Sequence, residues 1–205
     1  MFNSYIYTKH NSMIRRFFSL VVVLIVTINV SFAGLTLNKG DVLVYRLVTH
    51  LKESELKITI LDLDDRIKFS YMVNSQPSVN GTIMITANAL GHAKYFEHPF
   101  SGGEKTYTGE TSTMFLSFQI MKQLKAKGKV NFAIDEEIDG QWSDGVDDFG
   151  YTSNGQDVST KVHYLGFDSY QGERYYELVV LDNIHYPLIV SFTGVTLAFR
   201  LMEIL

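Results

Sequence analysis

The sequence of 205 residues contains no cysteine and only three prolines. Without cysteine, the chain forms no disulfide, has no thiol nucleophile and has no cysteine-based metal site. Its stability must therefore come from packing of an apolar core. Pro77, Pro99 and Pro187 each stand where a strand is expected to begin or end, as the missing N–H of proline requires.

Positive charge is also scarce. The chain has 18 Lys and Arg against 22 Asp and Glu. Residues 1–33 contain three basic residues, Lys9, Arg15 and Arg16, and no acidic residue, which leaves 15 basic against 22 acidic side chains in residues 34–205. Because such a chain repels phosphate backbones, nucleic acid is not expected as a partner.

The N-terminal region has the pattern of a secretory signal. Arg15–Arg16 precede an apolar run, Leu20–Val30, and Ser31–Ala33 places small residues at the two positions that a signal peptidase recognises. The run is short for a membrane span, and no later run is long enough to cross a bilayer. An uncleaved anchor helix is the alternative.

These features predict a signal peptide over residues 1–33, with Met13 as the start and residues 1–12 as a start-site artefact. A single β-rich domain over residues 34–205 follows, and it is expected to be secreted or periplasmic, with no membrane span after cleavage.

Alternating apolar and polar residues dominate the rest of the chain. They predict a mainly β fold: a strongly curved antiparallel sheet or partly closed barrel of roughly nine or ten strands with one packed helix. The first four strands are expected to form a meander because only short turns separate them. The predicted strands cover residues 41–51, 55–63, 66–74, 81–87, 129–135, 157–167, 173–182, 187–192 and 195–204.

Two regions depart from the alternation. Residues 112–127 have apolar side chains at a spacing of three to four and end before Gly128, which predicts an amphipathic helix on the concave face of the sheet. Residues 135–155 are rich in Asp and Gly and predict a loop. Further on, Leu188–Phe192 is apolar on both faces, so the C-terminal strands are expected to close the fold.

The second half of the chain resembles a known group of proteins. The segments "MFLSFQIMKQLKAKGKVNFAID", "VVLDNIHYPLIVSF" and "VTLAFRLMEI" resemble uncharacterised secreted or periplasmic bacterial β-proteins, over residues 112–205. The acidic loop and His185–Tyr186 depart from that pattern. More distantly, a sheet wrapped around a helix resembles the half-barrel of periplasmic lipoprotein carriers. The resemblance implies a fold and a compartment and no chemistry.

Aromatic and thioether side chains are abundant, and a curved sheet could use them to line a pocket for an apolar ligand between helix and sheet. The alternative is an ordinary packed core. The candidate ligand-binding residues are Phe69, Tyr71, Met84, Phe115, Phe118, Met121, Tyr164 and Tyr176.

The acidic region contains the main metal candidate; a loop site of His92, Glu97 and His98 is a second one, with ordinary hydrogen-bonded histidines as its alternative. Asp135, Glu137 and Asp139 alternate as the oxygen ligands of a calcium loop do, but Val146 stands where such a loop needs a glutamate. The alternative is a solvated acidic loop. Trp142 has two interpretations, a sugar-binding platform or a side chain that holds the loop on the core.

No nucleophile motif occurs, so no catalytic residue and no resident cofactor are predicted, calcium apart. The main hypothesis is a non-enzymatic protein that binds a hydrophobic or lipid-like ligand. The alternative is a structural or interaction module of the cell envelope with a filled core and a protein partner. A calcium-dependent carbohydrate-active protein is the third hypothesis.

Overall fold

The computed structural model describes residues 35–205 except 51, 99, 135–137 and 169–173. For residues 77, 138–140, 143–144, 167–168 and 174–175 it describes the backbone alone. The predicted signal peptide lies outside the described residues. Within the described part of the chain, no helix is long and apolar enough to cross a membrane.

The fold is mainly β, as predicted, and the described residues form thirteen strands and two helices. The prediction of nine or ten strands missed three short strands, which are too brief to show an alternation, and the long strand in the predicted acidic loop. The strands are β1 (Val42–Thr49), β2 (Lys52–Asp62), β3 (Ile67–Val73), β4 (Gln76–Ile85), β5 (Tyr95–Phe96), β6 (Gly103–Tyr107), β7 (Thr111–Ser112), β8 (Lys129–Ile134), β9 (Ile138–Ser153), β10 (Gln156–Asp168), β11 (Arg174–Leu181), β12 (Ile189–Thr193) and β13 (Leu197–Ile204). The helices are α1 (Ala87–His92) and α2 (Phe118–Lys127).

Five strands close into a barrel. Strands β9 to β13 are successive antiparallel neighbours, and the end of β13 then pairs in parallel with the end of β9 at Glu203–Thr152 and Ile204–Ser153. The sheet continues from β13 through β1, β2, β3 and β4 to β6, and from β9 through β8 to β5 and β7. This arrangement confirms a curved, partly closed sheet.

The first four strands form the predicted antiparallel meander. The alternation in β3 sets its orientation: Ile67, Phe69, Tyr71 and Val73 are buried, while the intervening side chains are exposed or half-buried. One face of this part of the sheet therefore belongs to the core, and the other faces solvent.

The predicted helix over 112–127 is too long at its N-terminal end. Helix α2 begins at Phe118 because the side chain of Ser117 caps it, accepting a hydrogen bond from the Ile120 amide, and it ends at Gly128 with φ of 65°. The helix packs against β8 and α1. The residues before it are not helical: Met114 has φ of 53°, the Leu116 amide donates to the Pro187 carbonyl at 3.0 Å, and the Ile189 amide at the start of β12 donates to the Met114 carbonyl at 2.8 Å.

The predicted acidic loop is mostly the 16-residue strand β9. Asn154 and Gly155 have φ of 49° and 74°, so they form the two-residue turn that joins β9 to β10. Asp147 and Asp148 are exposed on the strand. Because adjacent residues on a strand point to opposite faces, both faces of the hairpin are exposed at this point, and the acidic side chains reach solvent on either side. The short helix α1, which begins after the cap Thr86, was not predicted either.

Candidate functional site

An open cleft lies at one end of the concave face of the sheet, where β1, β2, β3, β4 and β13 meet a connecting segment. We call it the outer cleft. Its volume is about 250 Å³, smaller than a typical site for a drug-sized ligand. The lining residues are Leu47, Thr49, Ser54, Val73, Gln76, Val79, His98, Phe100, Ser101 and Leu197.

A second, smaller space adjoins the outer cleft. We call it the inner pocket, and its volume of about 20 Å³ has room for a group of roughly the size of one water molecule. The two spaces share His98 as a wall. The inner pocket is lined by Phe96, Glu97, His98, Thr113, Met114, Ile134, Leu178, Ile189, Phe192 and Phe199.

The connecting segment is fixed on the sheet through Tyr71. The Gly102 amide donates a hydrogen bond to the Tyr71 hydroxyl at 2.8 Å. The Phe100 ring meets Tyr71 edge-on at 5.7 Å and Phe199 edge-on at 6.2 Å. These contacts hold an aromatic side chain over the outer cleft, since edge-to-face pairs add to the energy of burial.

His98 is packed as an apolar residue. Its ring centroid lies 4.8 Å from that of Phe192. Burial lowers the pKa of His98 to about 4, because the charged imidazolium is poorly solvated there. At neutral pH the wall between the two spaces is therefore uncharged.

The other lining groups of the outer cleft are uncharged too. Thr49, Ser54, Gln76 and Ser101 supply its polar groups, and the remaining lining is apolar. Charged neighbours on β1 and β2 lie on the opposite face, where Arg46 and Glu53 form an exposed ion pair at 2.7 Å. This arrangement suits an apolar ligand with uncharged polar groups.

Thr113 adds a polar group to the inner pocket. Its side chain is fully buried, and its Oγ1 has no hydrogen-bond partner among the described residues. A buried hydroxyl without a hydrogen-bond partner lowers the stability of the fold, and a group bound in the inner pocket would be a partner for it.

The predicted ligand-binding residues do not gather around one pocket. Phe69, Phe115 and Met121 are completely buried, and the rings of Phe69 and Phe115 lie 6.3 Å apart within the core. Tyr71 does not line the outer cleft but contacts Phe100 and Gly102 of the connecting segment. The other four are half-buried at scattered positions: Met84, Phe118, Tyr164 and Tyr176.

Sequence reasoning missed Phe100 and Thr113, and it considered His98 only as part of a loop metal site with His92 and Glu97. All three lie in connections between regular elements, where no periodicity marks a residue as inward-facing. The available signal was Phe100 itself, a large aromatic side chain directly before Ser101 and two glycines.

The side chains of the predicted calcium ligands are not described by the structure. Asp135 and Glu137 lie outside the described residues, and only the backbone of Asp139 is described. Among the described residues, no group of three or more His, Asp or Glu side chains could hold a metal ion.

Trp142 is completely buried, so it presents no face to a sugar. Its ring stacks on Phe132 at 4.8 Å with an interplanar angle of 8°. Its Nε1 donates a hydrogen bond to the Phe132 carbonyl at 3.3 Å. The interpretation that Trp142 holds its segment on the core is confirmed.

A polar groove of about 290 Å³ lies elsewhere, beside the end of β11. Asp182 Oδ1 lies 2.5 Å from Lys125 Nζ and 3.3 Å from Nε2 of the buried His163. Partial burial raises the pKa of Asp182, but the hydrogen bonds and charges of Lys125 and His163 outweigh it and leave the pKa below its usual value. The cluster ties α2 to β10 and β11, which is a structural role.

No family model matches this chain, and no curated protein or solved structure does either. The resemblance over residues 112–205 therefore stays a hypothesis. The outer cleft and the inner pocket are therefore the features that bear on function.

Proposed function

We propose that the protein is a non-enzymatic binding protein that takes up a small apolar or amphiphilic molecule in the outer cleft. The observation that carries this proposal is an uncharged, largely apolar cleft beneath a segment that Tyr71 and Phe199 hold in place. Pockets of this kind, apolar with a few placed polar groups, are typical ligand sites.

The dimensions limit the ligand. The outer cleft of about 250 Å³ is smaller than a typical site for a drug-sized ligand, so it limits the ligand to a short chain. Burial of each methylene contributes about 0.8 kcal/mol before the costs of binding. A short alkyl chain, or the end of a longer acyl chain, fits these limits.

The site differs from the predicted one. The expected ligand position was between helix and sheet, but that region is filled by Phe69, Phe115 and Met121. The proposal moves the ligand to the end of the concave face, where only Tyr71 of the predicted residues takes part. Secretion or a periplasmic location remains part of the proposal and depends on the signal-like residues 13–33.

Native mass spectrometry tests the proposal. The full chain is expressed with its own N-terminal region, recovered gently from the compartment that it reaches, and weighed before and after organic extraction. A stoichiometric adduct that extraction removes is the expected result, and the extract identifies its chemical class.

A matched pair of variants locates the adduct. Val79→Trp places a large ring in the outer cleft and should abolish the adduct, whereas Val146→Trp makes the same change at a side chain that is 60% exposed on β9. An adduct that survives Val79→Trp in a folded protein contradicts the proposed site.

The second candidate function is an interaction module of the envelope. It is favoured by the filled core, in which the central aromatic side chains are fully buried. A bare mass in the experiment above, with no thermal shift on addition of 1-octanol, would favour this function over ligand binding.

A further inference from the structure

We infer that the inner pocket binds the uncharged hydrogen-bonding end of the ligand, a hydroxyl or carbonyl group, and that Thr113 is its partner. The inference rests on the proposed function and adds a ligand class to it: neutral amphiphiles with a short apolar chain. The chain lies in the outer cleft, and its polar end reaches past the side chain of His98, which lines both spaces.

The size of the inner pocket supports this assignment. A space of about 20 Å³ accepts one water-sized group and excludes an alkyl chain. Such a group is stable in an apolar pocket only where a protein group can bond to it. Thr113 supplies a hydroxyl that both donates and accepts, and it has no other partner among the described residues.

Charge in the two spaces favours a neutral end group. Glu97 is the one acidic side chain in the lining of the inner pocket, and it forms an ion pair with Lys105. Because the Lys105 ammonium is already paired with Glu97, a ligand carboxylate would have to compete with Glu97 for Lys105 or remain unpaired. A hydroxyl needs no counter-ion.

The position of His98 supports the same placement of the ligand. Its imidazole is the common wall of the two spaces, so a ligand that occupies both must contact it. The ring can pack against an alkyl chain, as it packs against Phe192.

A cycle of variants and ligands tests the inference. The dissociation constants of 1-octanol and n-octane are measured by headspace partitioning for the native protein and for Thr113→Val, which has nearly the same shape and no hydroxyl. The variant should weaken 1-octanol binding about three- to tenfold and leave n-octane binding unchanged or tighter, because only the alcohol loses a hydrogen bond.

Thr113→Ser is the rescue variant. It keeps the hydroxyl, so it should retain most of the affinity for 1-octanol. Octanoate at pH 7.5 should bind at least about tenfold more weakly than 1-octanol, because its charge is unpaired in the site.

Each contrary result is distinct. If neither 1-octanol nor n-octane binds the native protein, the proposed function itself fails. If both bind but Thr113→Val affects them equally, or octanoate binds as tightly as 1-octanol, the outer cleft remains a ligand site and the inference about the inner pocket is overturned.

Discussion

His98 is a buried histidine whose protonation is disfavoured by its surroundings. Its ring lies against Phe192 and separates the two spaces of the candidate site. A histidine in an unfolded chain titrates near pH 6.5, whereas the pKa of the buried side chain is about 4. The residue therefore links the stability of the site to pH.

Acidification should destabilise the protein through His98. Above about pH 6.5 the side chain is neutral in both states. Between about pH 6.5 and 4 the unfolded chain binds a proton that the folded chain does not, so the free energy of unfolding falls as pH falls. Urea unfolding at pH 7.0, 5.5 and 4.5 measures this loss.

The variant His98→Leu should lose less stability than the native protein over that interval. His92→Leu is the control, because the His92 side chain is exposed. Asp182 acts at lower pH: its lowered pKa gives stability that is present above about pH 3.9 and is lost below it. Parallel pH curves for the native protein and His98→Leu would contradict the prediction.

Among the elements, β6 shows most clearly what sequence patterns leave out. Residues 101–110 are Gly-rich and read as a flexible connection, yet Gly103–Tyr107 forms an edge strand parallel to β4. The partner strand lies about twenty residues earlier in the chain, so no local signal marks the pairing. Glycine at position 81 makes it possible: a Cβ there would lie 2.0 Å from the Gly103 carbonyl oxygen and 2.9 Å from the Tyr71 ring.

Gly81→Ala should therefore separate β6 from β4 and destabilise the protein by about 1–3 kcal/mol, as overpacking does. Faster hydrogen exchange at the amides of Gly103–Tyr107 would report the separation. Gly150→Ala is the control, since a Cβ at Gly150 on β9 meets no atom within 4 Å. It should change stability by no more than about 0.5 kcal/mol. Equal effects of the two substitutions would rule out the close approach as the cause.

For the molecule as a whole, the last residues complete the barrel. Glu203 and Ile204 pair with β9, the Asn154 amide donates to the Ile204 carbonyl at 3.0 Å, and Leu205 exchanges two backbone hydrogen bonds with Val42. Strand β13 thus joins three strands: β1, β12 and β9. The expectation that the C-terminal strands close the fold is confirmed.

Ile204→Ala should lower the free energy of unfolding by about 2–4 kcal/mol, because Ile204 is buried at the closure. Leu205→Ala is the matched control. The Leu205 side chain is 52% exposed, so its loss should cost less than about 0.5 kcal/mol while its backbone bonds stay. Urea unfolding measures both values, and a similar cost for the two variants would show that closure does not depend on burial at Ile204.

The sequence by itself determined the β class, the first meander, the inward faces of β3 and the apolar C-terminal strands. These follow from alternation along the chain, which needs no distant partner. The dipeptide Asn154-Gly155 is also typical of a two-residue hairpin turn. The acidic residues before it led instead to the prediction of a loop.

Only the tertiary structure decided the barrel closure, the late start of α2 and the candidate site. The parallel contact of β13 with β9 joins residues about fifty positions apart. Ser112–Ser117 continues the apolar spacing of the helix, but its backbone groups bond to the segment that leads into β12. His98, Phe100 and Thr113 come together because separate connections converge on the end of one sheet, and no spacing within the chain encodes that convergence.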